Sequence, residues 1–280
     1  MTALAAAAPL ATADFAFVTD LVARRSAISL SPGKEYLVQS RLTPLVGEWG
    51  LRSLTELVGA LRRGGDRALE ARVVEAMTTN ETFWFRDATP FTALRQDIVP
   101  DLLGQDAGSR SLRIWSAACS TGQELYSIAM LLDAHFPALS GWSMDLLGTD
   151  LSPTVVARAV QGRYSTAEVS RGLPAAMRSR YLRPDGDGHR VVDHLRARIR
   201  FAEQNLIEPW PARPPLDVIF LRNVLIYFDP QVKRTILAKA HQALRPGGYL
   251  VLGAGETTLG VDVPFRLVTS AGAVCYQRPA

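Results

Sequence analysis

The sequence predicts a two-part α/β protein: a small all-helical N-terminal bundle, then a mostly parallel β-sheet covered by helices and interrupted by a short antiparallel β insert. Three observations lead there. Apolar residues recur at helical spacing from Asp14 to about Met77. From Leu112 onward short apolar runs alternate with helical patterns, the grammar of a parallel sheet with helices on both faces. Residues 165–205 break that alternation with short strand-like runs around a Pro-Gly turn. The expected boundaries are residues 1–87 for the helical domain and 88–280 for the sheet domain, with 165–205 as the insert.

Within the first part, Phe15, Val18, Leu21 and Val22 form one apolar stripe, and Leu37, Leu42, Leu45 and Val46 a second. Leu54, Leu57, Val58 and Leu61 form a third, and Leu69, Val73, Val74 and Met77 a fourth. Ser31-Pro32-Gly33 and Arg63-Gly64-Gly65-Asp66 punctuate them. A further helical stretch at Phe91–Leu103 ends in a polar break at Gly104–Arg110. Leu112–Ala117 reads as a strand, Gly122–Phe136 as a helix, Ser143–Gly148 as a strand, and Ser152–Val160 as a helix capped by Ser152 with Pro153 in its first turn. Leu216–Leu221 is an apolar strand, Pro230–Leu244 a helix stopped by Pro246-Gly247-Gly248, and Tyr249–Gly253 another strand. In the insert, Tyr181-Leu182-Arg183, the turn Pro184–Gly188, Arg190–Val192 and Ile199–Phe201 read as short antiparallel strands.

Composition narrows the function classes. A hydrophobic content of 48% argues for a packed core and against disorder. The net charge of +4 rests almost wholly on arginine, because only Lys34, Lys233 and Lys239 are lysines, and it mildly favours an acidic partner. Cys119 and Cys275 have no metal-type spacing, so neither a zinc site nor a disulfide framework is expected, and a reducing cytoplasm suits the chain. His135, His189, His194 and His241 likewise show no metal-ligand spacing. The start, MTALAAAAPLATADF, has no basic residue before Arg24 and reads as a leader rather than a signal peptide.

Four stretches carry chemistry. RIWSAACSTGQELYSIAM, residues 113–130, is a strand, a turn of small residues and a helix start, in which Ala117, Ala118, Ser120 and Gly122 let a ligand approach the backbone. A tight strand-to-helix connection is the bland alternative. The next strand ends in Gly148-Thr149-Asp150, where an acidic residue can accept both hydroxyls of a ribose, or cap the following helix. DVIFLRNVLIYFD, residues 217–229, closes an apolar strand with Arg222-Asn223 and then Tyr227. MTTNETFWFRD, residues 77–87, sets three aromatic rings among Asn80, Glu81, Thr82, Arg86 and Asp87. An adenosine-containing ligand fits the first two stretches, and they suit a dehydrogenase as well as a methyltransferase.

Taken in order, Asn80-Glu81-Thr82 with Phe85-Arg86-Asp87, Cys119-Ser120-Thr121-Gly122 with Glu124 and Tyr126-Ser127, Thr149-Asp150, Asn205-Leu206, and Arg222-Asn223-Val224-Leu225-Ile226-Tyr227-Phe228 resemble the chemotaxis receptor glutamate O-methyltransferase family from about Asp14 to Tyr276. The resemblance implies a Rossmann-like class I methyltransferase domain with a small inserted β subdomain, preceded by an all-α domain. It implies S-adenosylmethionine as cofactor and S-adenosylhomocysteine as product. It further implies cofactor contacts at Asn80, Thr82, Arg86, Glu124, Asp150, Asn205, Leu206, Arg222 and Asn223, to which the small-residue turn adds Gly122. The 77–87 stretch then reads as a lid, with Phe83, Trp84 and Phe85 packing between domains while Asn80, Thr82 and Arg86 reach the cofactor. Trp84, Ala118, Leu125 and Leu221 depart from the family's usual phenylalanine, glycine, proline and cysteine, and Ala118 adds a methyl group near the methionyl end of the ligand.

The resemblance implies methylation of glutamate carboxylates on the cytoplasmic helical bundle of a chemoreceptor, for sensory adaptation, by a cytoplasmic and monomeric signal-transduction enzyme with no bound metal and no membrane insertion. A glutamate is already an anion at neutral pH, so no catalytic base is required. Arg86 and Tyr227 are the expected catalytic pair, the first holding a carboxylate and the second orienting the attacking oxygen. Arg41, Arg52, Arg62 and Arg63 are candidates to attract the acidic receptor surface, and the insert a candidate to bind a receptor C-terminal tail by strand addition. Two rivals stay open: a nucleic-acid methyltransferase, against which Asn223-Val224-Leu225-Ile226 lacks the prolines of a base-amine motif, and a non-catalytic module sensing S-adenosylmethionine or S-adenosylhomocysteine.

Overall fold

The computed structural model describes residues 10–105, 110–270 and 272–279. The alanine-rich leader through Pro9 and residues 106–109 of the polar break lie outside them. The chain divides into a helical unit, up to Thr79 with Tyr227–Asp229, and a sheet unit, from Asn80 to Ile226 and from Pro230 on. This boundary falls earlier than the one expected after Asp87. The reason is Trp84, fully buried in the sheet unit's core, which draws residues 80–87 into that unit.

The helical unit contains α1 (Thr12–Ser26), α2 (Glu35–Glu48), α3 (Leu54–Arg63) and α4 (Arg67–Met77). The stripes seen in the sequence meet in one core around Val18, Val22, Val38, Leu42, Leu57, Val58, Leu69 and Val73. Helix ends are closed locally: the Ser53 hydroxyl accepts the Glu56 N–H at 3.1 Å, and the Asp66 carboxylate the Leu69 N–H at 2.9 Å. Arg41 donates to the carbonyls of Met77 and Thr78 at 2.7 and 2.8 Å, satisfying orphan acceptors at the end of α4.

The sheet unit opens with α5 (Thr89–Ala93), a π-helical turn at Leu94–Ile98 and α6 (Val99–Gln105). Then follow β1 (Ser111–Ala117), α7 (Gln123–His135), β2 (Ser143–Asp150), α8 (Pro153–Gln161), β3 (Arg163–Ser165), α9 (Thr166–Ser170), α10 (Ala175–Tyr181), β4 (Leu182–Asp185), β5 (Gly188–Val191), α11 (Asp193–Arg196), β6 (Ile199–Glu203), β7 (Leu216–Leu221), α12 (Pro230–Ala243), β8 (Leu244–Leu252), β9 (Arg266–Ser270) and β10 (Ala273–Gln277). Seven strands form one sheet in the order β6-β2-β1-β7-β8-β10-β9. The first five are parallel, and β10 pairs antiparallel with both β8 and β9. Every residue of β7 is buried, as its unbroken apolar run demands of a central parallel strand. Strand order reverses at β1, whose neighbours are β2 and β7, so a ligand crevice is expected beyond the carboxyl ends of these three strands.

The insert forms a separate antiparallel sheet in the order β3-β5-β4. It is shorter than the sequence suggested. Ile199–Phe201 belongs to β6, which pairs in parallel with β2 from Leu146↔Ile199 onward. At the sheet's edge only one side of β6 is covered, so its short pattern resembles that of a hairpin strand. The Pro246-Gly247-Gly248 run also plays a different part: it lies inside β8, where the register against β7 shifts between Leu216 and Val218. A Cβ on Gly248 would stand 3.1 Å from the carbonyl oxygens of both Leu216 and Asp217, so the bulge needs a glycine.

No helix among the described residues is long and apolar enough to cross a membrane. Cys119 and Cys275 are both buried free thiols. Among the described residues no group of three or more His, Cys, Asp or Glu side chains could hold a metal ion.

His241, on α12, packs edge-on to Phe265 with ring centroids 5.1 Å apart. Burial first, then nearby Arg278, lowers its pKa below the ordinary 6.5. The folded state therefore binds this proton less readily than the unfolded chain, and stability falls as pH drops below the unfolded value. Melting temperatures measured between pH 7.5 and 5 should decline with a slope that His241→Asn reduces.

Candidate active site

The β1-to-α7 connection lies at the carboxyl end of β1, where the strand order predicts a ligand crevice. Ala118, Ser120 and Gly122 all have left-handed backbone, with φ of 62°, 50° and 91°. Three residues of positive φ within five positions fold the chain tightly back on itself at the end of β1. The turn is locked from below, since Cys119 N–H donates to the Thr149 carbonyl at 2.9 Å and Gly122 N–H to the Cys119 carbonyl at 3.0 Å. Gly122 serves packing as well as the turn: a Cβ there would lie 2.9 Å from the Ala159 Cβ and 3.1 Å from the Phe201 ring.

Asp150 ends β2 with its carboxylate buried. Ser120 N–H donates to it at 2.8 Å and Ser152 N–H at 3.1 Å, while the Ser152 hydroxyl caps α8 by accepting the Val155 N–H. The capping role is thus filled by Ser152, and Asp150 instead ties the two strand tips together. The Ser120 hydroxyl donates to the Asn80 carbonyl at 2.7 Å, which fixes the start of the 80–87 segment against the same turn. Burial, reinforced by the Asp150 and Glu124 carboxylates, pushes the Cys119 thiol well up.

Beyond β7, Arg222 has a side chain only 1% exposed. Its guanidinium donates to Glu124 at 2.7 Å, to Asp87 at 2.9 Å and to the Arg86 carbonyl at 2.8 Å, and it lies 5.7 Å from the Phe91 ring centroid. Glu124, in the first turn of α7, uses its other oxygen to accept the Ser116 hydroxyl at 2.8 Å. Three sequence-distant candidates, Arg86, Glu124 and Arg222, are therefore joined directly. Asn223 follows in left-handed conformation, φ 58°.

Asn205 and Leu206 sit in the loop after β6. Gln204 N–H donates to the Asp150 carbonyl at 2.9 Å, which places this loop beside the tip of β2. Its course is fixed by Lys239, whose ammonium donates to the carbonyls of Leu206, Ile207 and Glu208 at 3.1, 2.9 and 2.8 Å. The Trp210 indole also donates to the Leu206 carbonyl, and its ring packs edge-on to Trp115 at 4.6 Å. Desolvation lowers the Lys239 pKa. Nothing local marks Lys239, whose carbonyl partners lie 31 to 33 residues away in the chain.

The 80–87 segment seats each aromatic ring inside the sheet unit. Trp84 packs edge-on to Tyr164 at 4.9 Å, Phe85 meets Phe91 at 5.1 Å, and Phe83 lies under Arg171 at 4.4 Å with Arg86 at 5.7 Å from the same ring. Arg171 also pairs with Glu81 at 2.7 Å, while Arg86 donates to the Glu81 carbonyl at 2.7 Å and makes no ion pair among the described residues. Thr82 lies partly buried in the same segment. Phe85 and Asp87 are left-handed, with φ of 49° and 59°. Gly172 completes the seat: a Cβ there would be 2.1 Å from the Trp84 carbonyl oxygen.

Tyr227 closes the short 3-10 turn Leu225–Tyr227 and belongs to the helical unit, where Ser29 N–H donates to its carbonyl at 3.1 Å. Three of the four arginines expected to face an acidic partner are engaged within the helical unit. Arg41 holds the end of α4, Arg52 pairs with Glu56, and Arg62 pairs with the buried Asp14 at 2.9 Å. Arg63 makes no ion pair among the described residues, although its charge acts on nearby Glu56. In the insert, Asp185 lies between Arg163 and Arg190, at 3.5 and 2.9 Å, so the acidic turn is neutralised locally.

Two backbone variants test this geometry by denaturant unfolding. Gly172→Ala combines a clash with a φ of +89° and should cost about 2 kcal/mol or more. Ala118→Gly relieves a left-handed alanine and should gain about 0.5–1 kcal/mol.

Residues 13–78 match the family model of the CheR methyltransferase all-alpha domain, and residues 80–274 that of the CheR methyltransferase SAM binding domain. The chain is 40% identical over 273 residues to chemotaxis protein methyltransferase 1 of Pseudomonas aeruginosa, covering 95% of this chain and 98% of that one. It is 39% identical over 268 residues to chemotaxis protein methyltransferase Cher2 of Pseudomonas putida, covering 94% and 97%. It is also 39% identical over 253 residues to a chemotaxis protein methyltransferase of Vibrio anguillarum, covering 89% and 91%. The helical unit agrees with the all-alpha match, and the chain belongs to the CheR family of chemotaxis protein methyltransferases, whose larger domain binds S-adenosylmethionine.

Proposed function

We propose that this protein methylates glutamate side chains on the cytoplasmic helices of a chemoreceptor, forming glutamate methyl esters and S-adenosylhomocysteine. The donor set suits the cofactor. Arg222 Nε is buried with no hydrogen-bond partner among the described residues, and Arg86 makes no ion pair there, so cationic donors remain for a ligand carboxylate. Asp150 is an acceptor placed for ribose hydroxyls, and the left-handed turn at Ala118–Gly122 lets main chain approach the ligand. Asn80, Thr82, Asn205, Leu206 and Asn223 complete the lining in this reading, with Gly122 and Glu124 shaping it.

S-adenosylmethionine supplies a methyl group activated by its sulfonium. A glutamate oxygen forms the new carbon–oxygen bond as the carbon–sulfur bond breaks and its electron pair passes to sulfur. No proton moves, because the carboxylate with its pKa of about 4.3 is already ionised. The protein's work is to align the carboxylate with the methyl and to strip its water. Arg86 holds a carboxylate by its guanidinium fork, and Tyr227 orients the attacking oxygen. The observation that carries this reading is the Arg222–Glu124–Asp87 cluster, which puts strand tip, helix start and the Arg86 segment in one place. A monomer acting in the cytoplasm, with the receptor's acidic bundle as partner and a receptor tail added to the three-stranded sheet, completes the proposal.

Incubation with labelled S-adenosylmethionine and receptor-bearing membranes should give base-labile methyl esters; base-stable label in RNA would support a nucleic-acid substrate instead. Arg86→Ala and Thr82→Ala should each weaken S-adenosylhomocysteine binding by calorimetry, the first by about 10- to 100-fold as expected for a charged hydrogen bond. Tyr227→Phe should lower turnover by about 10- to 100-fold with cofactor affinity nearly unchanged.

A further inference from the structure

Glu256, in the loop after β8, collects four main-chain donors on one carboxylate. One oxygen accepts Asn223 N–H at 2.7 Å and Gly253 N–H at 2.8 Å. The other accepts Val224 N–H at 2.9 Å and Leu225 N–H at 2.7 Å. The donors come from just beyond the tips of β7 and β8, adjacent parallel strands, so one side chain sets the separation of two loops. An ionised carboxylate offers about four acceptor directions, and these contacts use them. Their charge-assisted character makes them stronger than neutral hydrogen bonds.

What the carboxylate holds is unusual backbone. Asn223 is left-handed at φ 58°, a conformation asparagine adopts more readily than other non-glycine residues and that the three successive N–H groups held by Glu256 fix here. Gly253 is confined by the same cluster, since a Cβ there would lie 2.7 Å from Glu256 Oε2, 2.8 Å from Asn223 Nδ2 and 2.9 Å from Asn223 N. The Asn223 amide thus lies close to the Glu256 anchor. In strand-tip geometry, rotating φ at Asn223 redirects this side chain.

We propose that Glu256 is a positioning residue for the cofactor site: its carboxylate imposes the left-handed turn at Asn223 and so presents the Asn223 side chain to S-adenosylmethionine. This rests on the reading of Asn223 as a cofactor contact. Glu256 acts through Asn223 and need not touch the cofactor itself.

A double-mutant cycle on the full chain tests it, with calorimetric affinity for S-adenosylhomocysteine as the readout and melting temperature as the check on folding. Glu256→Gln keeps one acceptor oxygen but turns an NH2 group toward main-chain donors. Glu256→Gln and Asn223→Ala should each weaken binding by about tenfold, and the double variant should bind no more than about twofold more weakly than Asn223→Ala alone. Losses that multiply in the double variant would show general loosening and overturn the proposal, as would unchanged affinity in Glu256→Gln. Unchanged affinity in Asn223→Ala would instead remove the Asn223 contact on which the proposal rests. Should Glu256→Gln fail to fold, Glu256→Asp, which keeps the charge at shorter reach, runs the same cycle with the same expected non-additivity.

Discussion

A buried guanidinium governs the architecture of the crevice. Arg222 is withdrawn from water, and an unpaired ion in that position would cost several kcal/mol. The cost is offset only because Glu124, Asp87 and the Arg86 carbonyl converge on it from two other parts of the chain. Each partner is held in turn: Glu124 by the Ser116 hydroxyl, and Asp87 in a left-handed turn. The cluster therefore fixes the tip of β7, the first turn of α7 and the segment carrying Arg86 relative to one another. Groups at these three places are therefore set in position before any ligand arrives.

The Phe83-Trp84-Phe85 run gains its meaning from the same constraint. Its rings anchor the segment, and the anchorage is supplied largely by the insert. Tyr164 on β3 meets Trp84, Arg171 covers Phe83 and pairs with Glu81, and Gly172 leaves room for the Trp84 carbonyl. The insert is thus more than an appendage of the sheet: it forms the wall against which residues 80–87 are seated. Lys239 and Glu256 perform matching tasks on the other side, the ammonium gathering three carbonyls beside Asn205 and the carboxylate gathering four amides beside Asn223.

Much of this was legible in the sequence where the signal is local. The four helical stripes, the continuous apolar run of β7 and the Ser152-Pro153 start of α8 depend on residues within a few positions of one another, and the structure agrees with each. What was not legible depends on distant partners. Trp84 shifts the unit boundary because it packs on Tyr164, and Arg171 reaches Glu81 across 90 residues. Arg62 looks like free surface charge until Asp14 is found beside it. The edge strand β6 looks like part of the insert because burial on one face erases the pattern of a parallel core strand. Of the candidate site residues, Arg86, Glu124 and Arg222 meet directly, and Asn80 and Asp150 meet through Ser120. Glu256 had no signal of its own, since an acidic residue in a Gly-rich loop reads as solvated.

The central claim is that the guanidinium fork of Arg222, rather than its charge alone, organises the crevice. Lysine keeps the charge but cannot reach Glu124, Asp87 and the Arg86 carbonyl together. The most direct measurement is calorimetric titration of folded Arg222→Lys with S-adenosylhomocysteine. The account predicts affinity reduced by about 100-fold, the scale of losing charged hydrogen bonds at a buried site; affinity within about twofold of the unaltered protein would contradict it.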